Sequence, residues 1–475
     1  MSAPLWTGEA ILATLDGRPV GVMPGAATGV SIDTRTLQSG DAYFAIKGEV
    51  HDGHDFASAA LAAGASVLVV AEEKLPALGR VQAPMIVVSD TLKALERLGA
   101  AARARAKGRI VAVTGSAGKT TTKEALRHVL SAFGSVHASD RSFNNHWGVP
   151  LTLARLPADA DFGIFEIGMN HPGEIRPLVN LVRPHVAIVT LIAAAHLGYF
   201  ASLDEIAMAK AEIFEGIEPE GVALINRDDA FFTLLDKAAK AAGVKTIHGF
   251  GEHLRARFRL VTAEPVGDGT AITARIAGKD LSATVGAPGR HMVQNALAVL
   301  GVADALGLDT GRAAQGLAGL TPEKGRGQRT ILSVRGGNST LIDESYNANP
   351  ASMRAAVALL DQAAIGAKGR RIAVLGDMRE LGAHSDKLHV ELAAVLAASK
   401  TDVVFLAGPE MKALAAALKP GLLAAYRESV EDLTPLVVKA LEPGDAIMIK
   451  SSNGIGFSRI VAALQDKFRQ EGRAA

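Results

Sequence analysis

The chain has 475 residues, which exceeds the size at which one hydrophobic core keeps growing, so we expect two or three domains. Its 50 lysine and arginine residues balance 49 aspartate and glutamate residues, and the formal net charge of +1 argues against a dedicated nucleic-acid surface. The absence of cysteine excludes disulfides, thiolate catalysis and cysteine-ligated zinc.

The N-terminal part of the chain, residues 1–84, is expected to form a small α/β module. Short β-rich segments at residues 29–35, 41–47 and 65–70 alternate with a helix-like segment at residues 56–63. No basic segment precedes an apolar run at the N-terminus, so no signal peptide is predicted. We therefore expect a cytoplasmic protein.

Residues 111–120, Val-Ala-Val-Thr-Gly-Ser-Ala-Gly-Lys-Thr, join an apolar strand to a glycine-containing loop, and an amphipathic helix follows. Gly115 and Gly118 permit a tight turn and a close approach of the backbone to phosphate. Lys119 supplies a cation, and Thr120 offers a hydroxyl to Mg²⁺. A valine stands where the full Walker pattern has a glycine, so the loop is the shorter form GSAGKT. The strand and helix around it favour a nucleotide phosphate site over an ordinary strand-turn-helix connection.

Residues 85–323 show the alternation of strands and helices that is typical of a doubly wound, mostly parallel sheet. Apolar strands are expected at residues 110–114, 162–167, 185–192 and 222–225. Residues 257–285 alternate in strand fashion with turns, which predicts an antiparallel extension of this sheet. The most apolar stretch, residues 188–200, is interrupted by a histidine and is too short to span a bilayer, so membrane insertion is not expected.

Three further residues of this central domain are candidates for chemistry. Glu166 ends an apolar strand, where an inward-facing carboxylate requires a cation partner, so it is a candidate Mg²⁺ ligand. The alternative is a glutamate on the solvent face of the strand. His196 follows the next strand at the sheet edge where ligands collect, and the alternative is a packed, hydrogen-bonded histidine. Lys210 lies within a helix-like segment, and its surroundings alone favour an ordinary surface lysine.

Residues 324–475 are expected to form a third domain with Rossmann-like topology, after a linker at residues 322–328 that is rich in glycine, lysine and arginine. Strands are predicted at residues 340–343, 371–375, 403–406 and 446–449. No GxGxxG fingerprint is present, so a dinucleotide is not implied.

Three polar loops follow strands of this third domain and define a candidate ligand face. They lie at residues 341–350, 375–382 and 450–454. The first of them carries Asp343, Glu344, Tyr346, Asn347 and Asn349. Turn and helix-cap roles account for part of this polarity, notably at Asn349.

A set of motifs is spread over nearly the whole chain. They are SxDTR at residues 31–35, TGSAGKTTTKE at 114–124, FNNHWGVPLT at 143–152, EIGMN at 166–170, AKAE at 209–212, YNANP at 346–350 and GDMRELG at 376–382. Together they closely resemble the motifs of the Mur ligases of peptidoglycan synthesis. YNANP and GDMRELG are the most specific, because they indicate the branch that joins D-alanyl-D-alanine to UDP-N-acetylmuramoyl-tripeptide.

The resemblance implies that the first domain binds the UDP group, the central domain ATP, and the third domain the incoming dipeptide. The residues implied at the UDP-substrate are Ser31, Asp33, Arg35, Lys47, Asn144 and Asn145. Those implied at ATP are Thr114, Gly115, Ser116, Ala117, Gly118, Lys119, Thr120, Thr121, Asn295, Arg326, Asn347 and Asn349. The implied catalytic residues are Lys119, Glu166, His196 and Lys210, and the implied Mg²⁺ ligands are Thr120, Glu166, His196 and Lys210.

In the family, the lysine that matches Lys210 is carbamylated and binds a second Mg²⁺, which reverses the surface interpretation of this residue. A carbamate converts a cation into an oxygen ligand suited to a hard metal ion. The chain also departs from the family pattern, with Leu191 where an asparagine is common, Gly198 where an acidic residue is frequent, and Met292 where an asparagine is usual. These departures leave the shape of the nucleotide and substrate pockets open.

The implied reaction is ATP-driven amide bond formation through an acyl phosphate. Two other interpretations remain: another ligase on the same scaffold, either a sister Mur ligase or a folylpolyglutamate-type enzyme, and a non-catalytic ATP-binding switch. The SxDTR module argues against the folate enzyme, and the polar third domain argues against the switch. The sequence does not tell diaminopimelate from lysine as the third residue of the accepted peptide. It also leaves the oligomeric state open, and a monomer is the working expectation.

Overall fold

The computed structural model describes residues 4–79, 82–140 and 142–469. Within these ranges the chain forms sheets of five, nine and six strands, and a two-stranded sheet near the N-terminus. Helices pack against the three larger sheets, which confirms the predicted α/β class, and each of the three units contains one mostly parallel sheet. No helix in the described ranges is both long and apolar enough to cross a bilayer.

The first unit is built on the five-stranded sheet. Its elements are β1 (Trp6–Thr7), α1 (Gly8–Leu15), β2 (Arg18–Val20), β3 (Ala26–Ala27), β4 (Gly29–Ser31), β5 (Asp41–Phe44), α2 (Ala57–Ala62), β6 (Val67–Ala71), α3 (Leu75–Leu78), β7 (Met85–Val88) and α4 (Thr91–Arg105). The strand order is β2-β7-β6-β5-β4, and only β2 runs antiparallel to its neighbour. Both faces are covered, because alternate residues of β6 enter the two different cores beneath α4 and α2.

Strand β7 is an internal strand of this first sheet, because it pairs with both β6 and β2. It lies beyond the domain boundary expected at residue 84. We therefore propose a boundary after Val88, before the helix α4 that also packs on the central domain. Trp6 of the first unit takes part in this contact. Its indole nitrogen donates to the carbonyl oxygen of Ala154 at 2.8 Å, and the Arg105 guanidinium lies 3.6 Å from the centroid of its ring.

The second unit contains the nine-stranded sheet. Its elements are β8 (Arg109–Thr114), α5 (Lys119–Leu130), β9 (Val136–Ala138), α6 (Gly148–Ala154), β10 (Phe162–Glu166), α7 (Ile175–Val182), β11 (Val186–Val189), α8 (Leu203–Ala211), β12 (Val222–Asn226), α9 (Phe232–Ala241), β13 (Thr246–Gly251), β14 (Phe258–Val266), β15 (Gly269–Ile276), β16 (Lys279–Val285), α10 (Arg290–Ala305) and α11 (Thr310–Gly316).

The central sheet has the order β16-β15-β14-β13-β12-β11-β8-β10-β9. All neighbouring strands from β9 across to β14 pair in parallel, whereas β15 pairs antiparallel with both β14 and β16. The predicted antiparallel extension is therefore confirmed. Val111 and Val113 of β8 pack with α5 and α10, whereas Ile110 and Ala112 pack on the opposite core. This alternation is the doubly wound arrangement that the sequence predicts, and it places the P-loop at the carboxyl edge of a central strand.

The third unit is built on the six-stranded sheet in the order β17-β18-β22-β19-β20-β21. Its elements are β17 (Gln328–Val334), β18 (Gly337–Glu344), α12 (Pro350–Asp361), β19 (Arg371–Gly376), α13 (Ser385–Val390), α14 (Leu392–Ala398), β20 (Val403–Ala407), α15 (Met411–Ala417), β21 (Leu423–Arg427), α16 (Val430–Ala440), β22 (Ala446–Lys450) and α17 (Ser458–Lys467). The four predicted strands are confirmed, and the structure adds β17 and β21 at the two edges.

Candidate active site

The GSAGKT loop connects β8, which ends at Thr114, to α5, which begins at Lys119. Gly115 and Gly118 have φ of 148° and 85°, backbone conformations that other residues rarely adopt. An ideal Cβ on Gly115 would lie only 1.9 Å from the Thr190 hydroxyl oxygen. Because Gly118 brings no side chain to the N-terminus of α5, the first amides of the helix stay accessible to an anion.

The loop is held in place by the segment that follows β11. The Thr190 hydroxyl donates to the carbonyl oxygen of Ala117 at 2.5 Å. The amide of Ser116 donates to the carbonyl oxygen of Leu191 at 2.7 Å, and its hydroxyl donates to that of Ala193 at 2.9 Å. The contact of Leu191 with the loop is therefore a main-chain one, which its side chain does not alter. Thr190 was not predicted, although its position at a strand end beside the P-loop is visible in the sequence.

Glu166 is 2% exposed, so the interpretation of it as a solvent-facing glutamate is wrong. Its Oε1 accepts a hydrogen bond from the Asn144 side chain at 2.7 Å. Its Oε2 is buried and has no hydrogen-bond partner among the described residues. An unsatisfied buried carboxylate oxygen is costly unless a cation or donor meets it. Glu166 therefore fits the predicted role of a metal ligand.

Two lysines, the partly buried Lys119 and the buried Lys210, accompany this carboxylate. The Lys119 ammonium donates to the carbonyl oxygen of Gly115 at 2.8 Å, and burial lowers its pKa while Glu166 opposes that shift. Lys210 is only 1% exposed, which overturns its interpretation as a surface lysine. Burial, followed by the charge of Lys119, holds the pKa of Lys210 well below its ordinary value. Its surroundings therefore disfavour the charged ammonium.

A polar chain connects the P-loop to the third domain. The Thr120 hydroxyl lies 3.2 Å from the Ser142 hydroxyl, to which the Tyr346 hydroxyl donates at 3.3 Å. The Arg326 guanidinium packs over the Tyr346 ring, 4.3 Å from its centroid. Arg326 also influences the pKa of Lys119, so the linker at residues 322–328, which we call the hinge, brings this arginine near the phosphate loop as the resemblance implies.

The three asparagines implied at ATP differ in their surroundings. Asn349 forms a capping box at the start of α12 and also donates to the carbonyl oxygen of Ser116 at 3.3 Å. Asn295 on α10 is buried beside Gly118, and its Oδ1 lies 3.0 Å from an ideal Cβ placed there. Asn347 is exposed and accepts the amide of its neighbour Ala348 at 2.9 Å. Two of the three thus contact the P-loop region.

His196 lies at the boundary between the central and third domains. Its Nδ1 is 2.5 Å from Oε2 of Glu380, and this contact lowers the pKa of Glu380. The amide of Gly198 donates to the carbonyl oxygen of Glu380 at 2.8 Å, and a Cβ on Gly198 would lie 3.0 Å from the amide of Gly382. The glycine at position 198 therefore coincides with a close backbone contact. The sequence pointed to the GDMRELG loop without assigning a role to Glu380.

The residues implied at the UDP-substrate fall into two places. Ser31 ends β4, and Asp33 and Arg35 follow it, where Arg35 binds both carboxylate oxygens of Asp33 at 2.6 and 2.9 Å. The exposed Lys47 follows the parallel neighbour β5, so it belongs to the same sheet edge. Asn144 contacts Glu166 instead, and Asn145 accepts the amide of Gly148 at 2.9 Å, which is a local role at the start of α6.

No group of three or more His, Cys, Asp or Glu able to hold a metal ion is found in the described ranges. A divalent ion beside Glu166 would accordingly have few protein ligands and would depend on phosphate and water oxygens. Mg²⁺ binds in this way at nucleotide sites.

Family models match most of the chain. The model of the Mur ligase family, catalytic domain, matches residues 26–121, the Mur ligase middle domain matches 113–303, and the Mur ligase, glutamate ligase domain, matches 326–453. A protein of Rickettsia prowazekii named UDP-N-acetylmuramoyl-tripeptide--D-alanyl-D-alanine ligase is 33% identical over 91% of this chain and 94% of its own length. The chain belongs to the Mur ligase family. The ligase of the same name from Escherichia coli is 34% identical to this Mur ligase over 92% of the chain and 93% of its own length.

Solved structures agree with this assignment. MurF from Acinetobacter baumannii superposes on this Mur ligase with a TM-score of 0.86 at 31% identity, over 98% of this chain and 100% of its own. A MurF ligase from Thermotoga maritima in complex with ADP gives a TM-score of 0.78 over 92% and 97% of the two chains. At 23% identity, the second comparison supports the fold alone.

Proposed function

We propose that this Mur ligase joins D-alanyl-D-alanine to UDP-N-acetylmuramoyl-tripeptide, with hydrolysis of ATP to ADP and phosphate, in peptidoglycan synthesis. One observation carries the proposal: both motifs that indicate this branch meet the central domain at the P-loop edge. Asn349 of YNANP contacts Ser116, and Glu380 of GDMRELG contacts His196. The relatives that match over nearly their whole length carry the name of this activity.

ATP binding is supported by the P-loop geometry. The first amides of α5 and the Lys119 ammonium surround the position expected for the terminal phosphates. Lys119 would stabilise the charge that develops on the transferred phosphoryl group, because its ammonium is fixed before the reaction by the Gly115 carbonyl. The ADP in the Thermotoga maritima relative is consistent with this role.

The residues fit a Mg²⁺ ion bound with ATP. The Thr120 hydroxyl and the unpartnered Oε2 of Glu166 would hold it, and His196 and a carbamylated Lys210 would hold a second Mg²⁺ ion. When bound, Mg²⁺ neutralises phosphate charge and orients the phosphoryl group. We propose the carbamate because the matching lysine of the family carries one, and because burial disfavours the charged ammonium of Lys210, whose neutral amine is the form that attacks carbon dioxide. Its nitrogen would bond to the carbon of CO₂ and release one proton, leaving an anion beside the Lys119 cation.

The chemistry then follows from the need to activate a carboxylate. Transfer of the γ-phosphoryl group to the terminal carboxylate of the tripeptide gives an acyl phosphate, and ADP leaves. The amine of D-alanyl-D-alanine attacks the carbonyl carbon, and the tetrahedral intermediate collapses to the amide and phosphate. Contacts between the third domain and the P-loop edge would exclude the water that otherwise hydrolyses the acyl phosphate.

The test is ADP release by the purified protein with each substrate omitted in turn. We expect release only when ATP, UDP-N-acetylmuramoyl-tripeptide and D-alanyl-D-alanine are all present, together with a UDP-pentapeptide product in the mass spectrum. A panel with D-glutamate, diaminopimelate and a folate substrate separates the sister ligases and the folylpolyglutamate-type enzyme. Product with one of these amines, or ADP release that needs no second substrate, would reject the proposal.

A further inference from the structure

A cavity of about 520 Å³ begins at Thr120 of the P-loop helix and extends to the hinge between the second and third domains. A smaller cavity of about 230 Å³ adjoins it, since Arg127 and Asp140 line both. The smaller cavity reaches Arg155, whose guanidinium donates to the carbonyl oxygen of Val30 in β4 of the first domain at 2.6 Å. The two cavities therefore lie next to each other between Arg155, which binds the first domain, and Thr120 of the P-loop, and we refer to this alignment as the path.

This path has the direction that the proposed substrate requires, and the inference rests on the proposed function. The UDP group belongs at the first domain, whereas the reacting carboxyl group must meet the γ-phosphate near Thr120. The third residue of the peptide bears that carboxyl group, so its side chain starts within a few ångströms of Thr120. The larger cavity is the space beside Thr120 that can receive this side chain.

Two glutamates that line the larger cavity differ in their pairing. Glu124 is paired with Lys123 at 2.7 Å and with Arg127 at 2.5 Å. Glu323 of the hinge differs, because its Oε1 is buried without a hydrogen-bond partner among the described residues. Its Oε2 is 3.9 Å from the nearest nitrogen of Arg326, whose guanidinium packs over an aromatic ring instead. Burial, then the charge of Glu124, raises the pKa of Glu323, because both disfavour the ionised carboxylate, and a cation beside it would offset them.

We propose that Glu323 binds the ammonium group on the side chain of the third residue of the UDP-tripeptide, within the cavity between Thr120 and the hinge. Diaminopimelate and lysine both carry an ammonium at the far end of this side chain, so the chemistry is common to both. Lys123, Arg127, Lys324 and Arg326 also line this cavity, and the first two are ion-paired with Glu124. Glu323 thereby makes the hinge part of the substrate site.

The test compares three UDP-tripeptides whose third residue is meso-diaminopimelate, L-lysine or Nε-acetyl-lysine, the last of which lacks the charge. With the wild-type enzyme we expect the KM of the acetylated substrate to exceed that of the better charged substrate by about 10- to 100-fold, the range for a hydrogen bond to a charged group. In E323Q the KM of the charged substrates should rise, so that the KM values of the charged and acetylated substrates differ by no more than a few-fold. The KM values of ATP and D-alanyl-D-alanine should stay unchanged.

The matched control is E220Q, which alters a glutamate whose side chain is 84% exposed and which pairs with Lys245 at the surface. It should keep the preference of the wild-type enzyme. An equal KM of wild-type enzyme for the charged and acetylated substrates overturns the inference without any variant. A preference that survives in E323Q, or an effect of E323Q on the KM of D-alanyl-D-alanine, also overturns it. Failure of wild-type enzyme to ligate any of the three tripeptides would instead overturn the proposed function, and the inference with it.

Discussion

Nδ1 of His196 in the central domain lies 2.5 Å from Oε2 of Glu380 in the third domain, and both residues have a positive φ. Next to this pair, Gly198 and Gly382 bring the two backbones together, with an ideal Cβ on Gly382 only 2.8 Å from the α-carbon of Gly198. Two residues in the left-handed backbone conformation and two glycines thus allow one loop of each domain to come into contact. The contact lies at the carboxyl ends of β11 and β19, where ligands collect in open sheets.

We expect E380Q to lower kcat/KM by several-fold and no more. The Glu380 side chain is 43% exposed, and ion pairs at such positions contribute about 1 kcal/mol or less. Steady-state kinetics measure the effect, and E391Q is the matched control because Glu391 pairs with Arg354 at 3.3 Å on the same domain. A loss above about 100-fold, more than a pair of this strength can supply, would show that Glu380 takes part in the chemistry.

Replacement of Lys119 by alanine should lower kcat by about 10³-fold, because one preorganised charge at the phosphoryl group is lost. The fold should persist, since the ammonium binds the loop carbonyl of Gly115 and does not fill a hydrophobic core. K240A is the control, as Lys240 is an exposed lysine paired with Asp236. Activity within a few-fold of wild type would remove Lys119 from the phosphate site.

Alanine at Gly115 should be far more damaging than alanine at Gly243, although both glycines have a positive φ. Nothing lies within 4 Å of a Cβ on Gly243, so G243A should cost only about 1 kcal/mol of backbone strain. G115A must also displace the Thr190 hydroxyl, and strain with overpacking should total about 3 kcal/mol or more. Denaturant unfolding and ATP-binding assays measure the loss of stability and of affinity in each variant. Equal losses in G115A and G243A would contradict the close contact between Gly115 and Thr190.

Tyr43 should make the protein sensitive to alkali. Burial, then Asp33 and Asp52, raises the pKa of Tyr43 from 10.0 to about 12. The folded state therefore favours the neutral phenol. The contribution of this preference to the free energy of unfolding is complete below pH 10 and is lost as the pH rises through 12. The loss should amount to about 2 to 3 kcal/mol and be absent from Y43F. Unfolding at pH 9 and pH 11.5 measures it. The control Y199F, at a half-exposed position, should behave as wild type.

The predictable parts of the site are those encoded by neighbouring residues. The P-loop follows from a strand, two glycines and a helix within some twenty positions, so Lys119 and Thr120 were assigned from local pattern. Burial of Glu166 was also predictable, because an apolar strand surrounds it. Lys210 was not, since its helical segment alone is typical of a surface lysine and its burial depends on packing against distant elements.

The fold shows the same division. Long apolar strands of the central and third sheets were predicted within a few residues, whereas the edge strands β17 and β21 and the internal strand β7 were missed or misplaced. Edge strands are partly polar, and the pairing of β7 with β2 joins segments far apart in sequence. Contacts such as Glu380 with His196 join residues of two domains, so no local pattern identifies them.

The carbamate proposed on Lys210 would make this buried lysine a metal ligand, and this role can be distinguished by experiment from a purely structural one. If Lys210 serves as an oxygen ligand, K210A should lose activity, and millimolar short-chain carboxylic acids should partly restore it by supplying a carboxylate to the ion. The truncated side chain leaves room for such an acid in the buried site. E166A should be impaired without comparable rescue, because its carboxylate ends a strand and is held closely by Asn144. Kinetic assays with and without acetate or propionate measure both effects.

A second measurement does not depend on activity. Wild-type protein in ¹³C-labelled bicarbonate should show a carbamate carbon signal that is missing in K210A and present in K240A, where an exposed lysine is replaced. If Lys210 is purely structural, the K210A protein should be less stable, but no acid should restore its activity and no carbamate signal should depend on Lys210. Full activity of K210A, or a loss without rescue together with unchanged carbon spectra, would return Lys210 to a structural role. The lowered pKa of Lys210 would then only limit repulsion from Lys119.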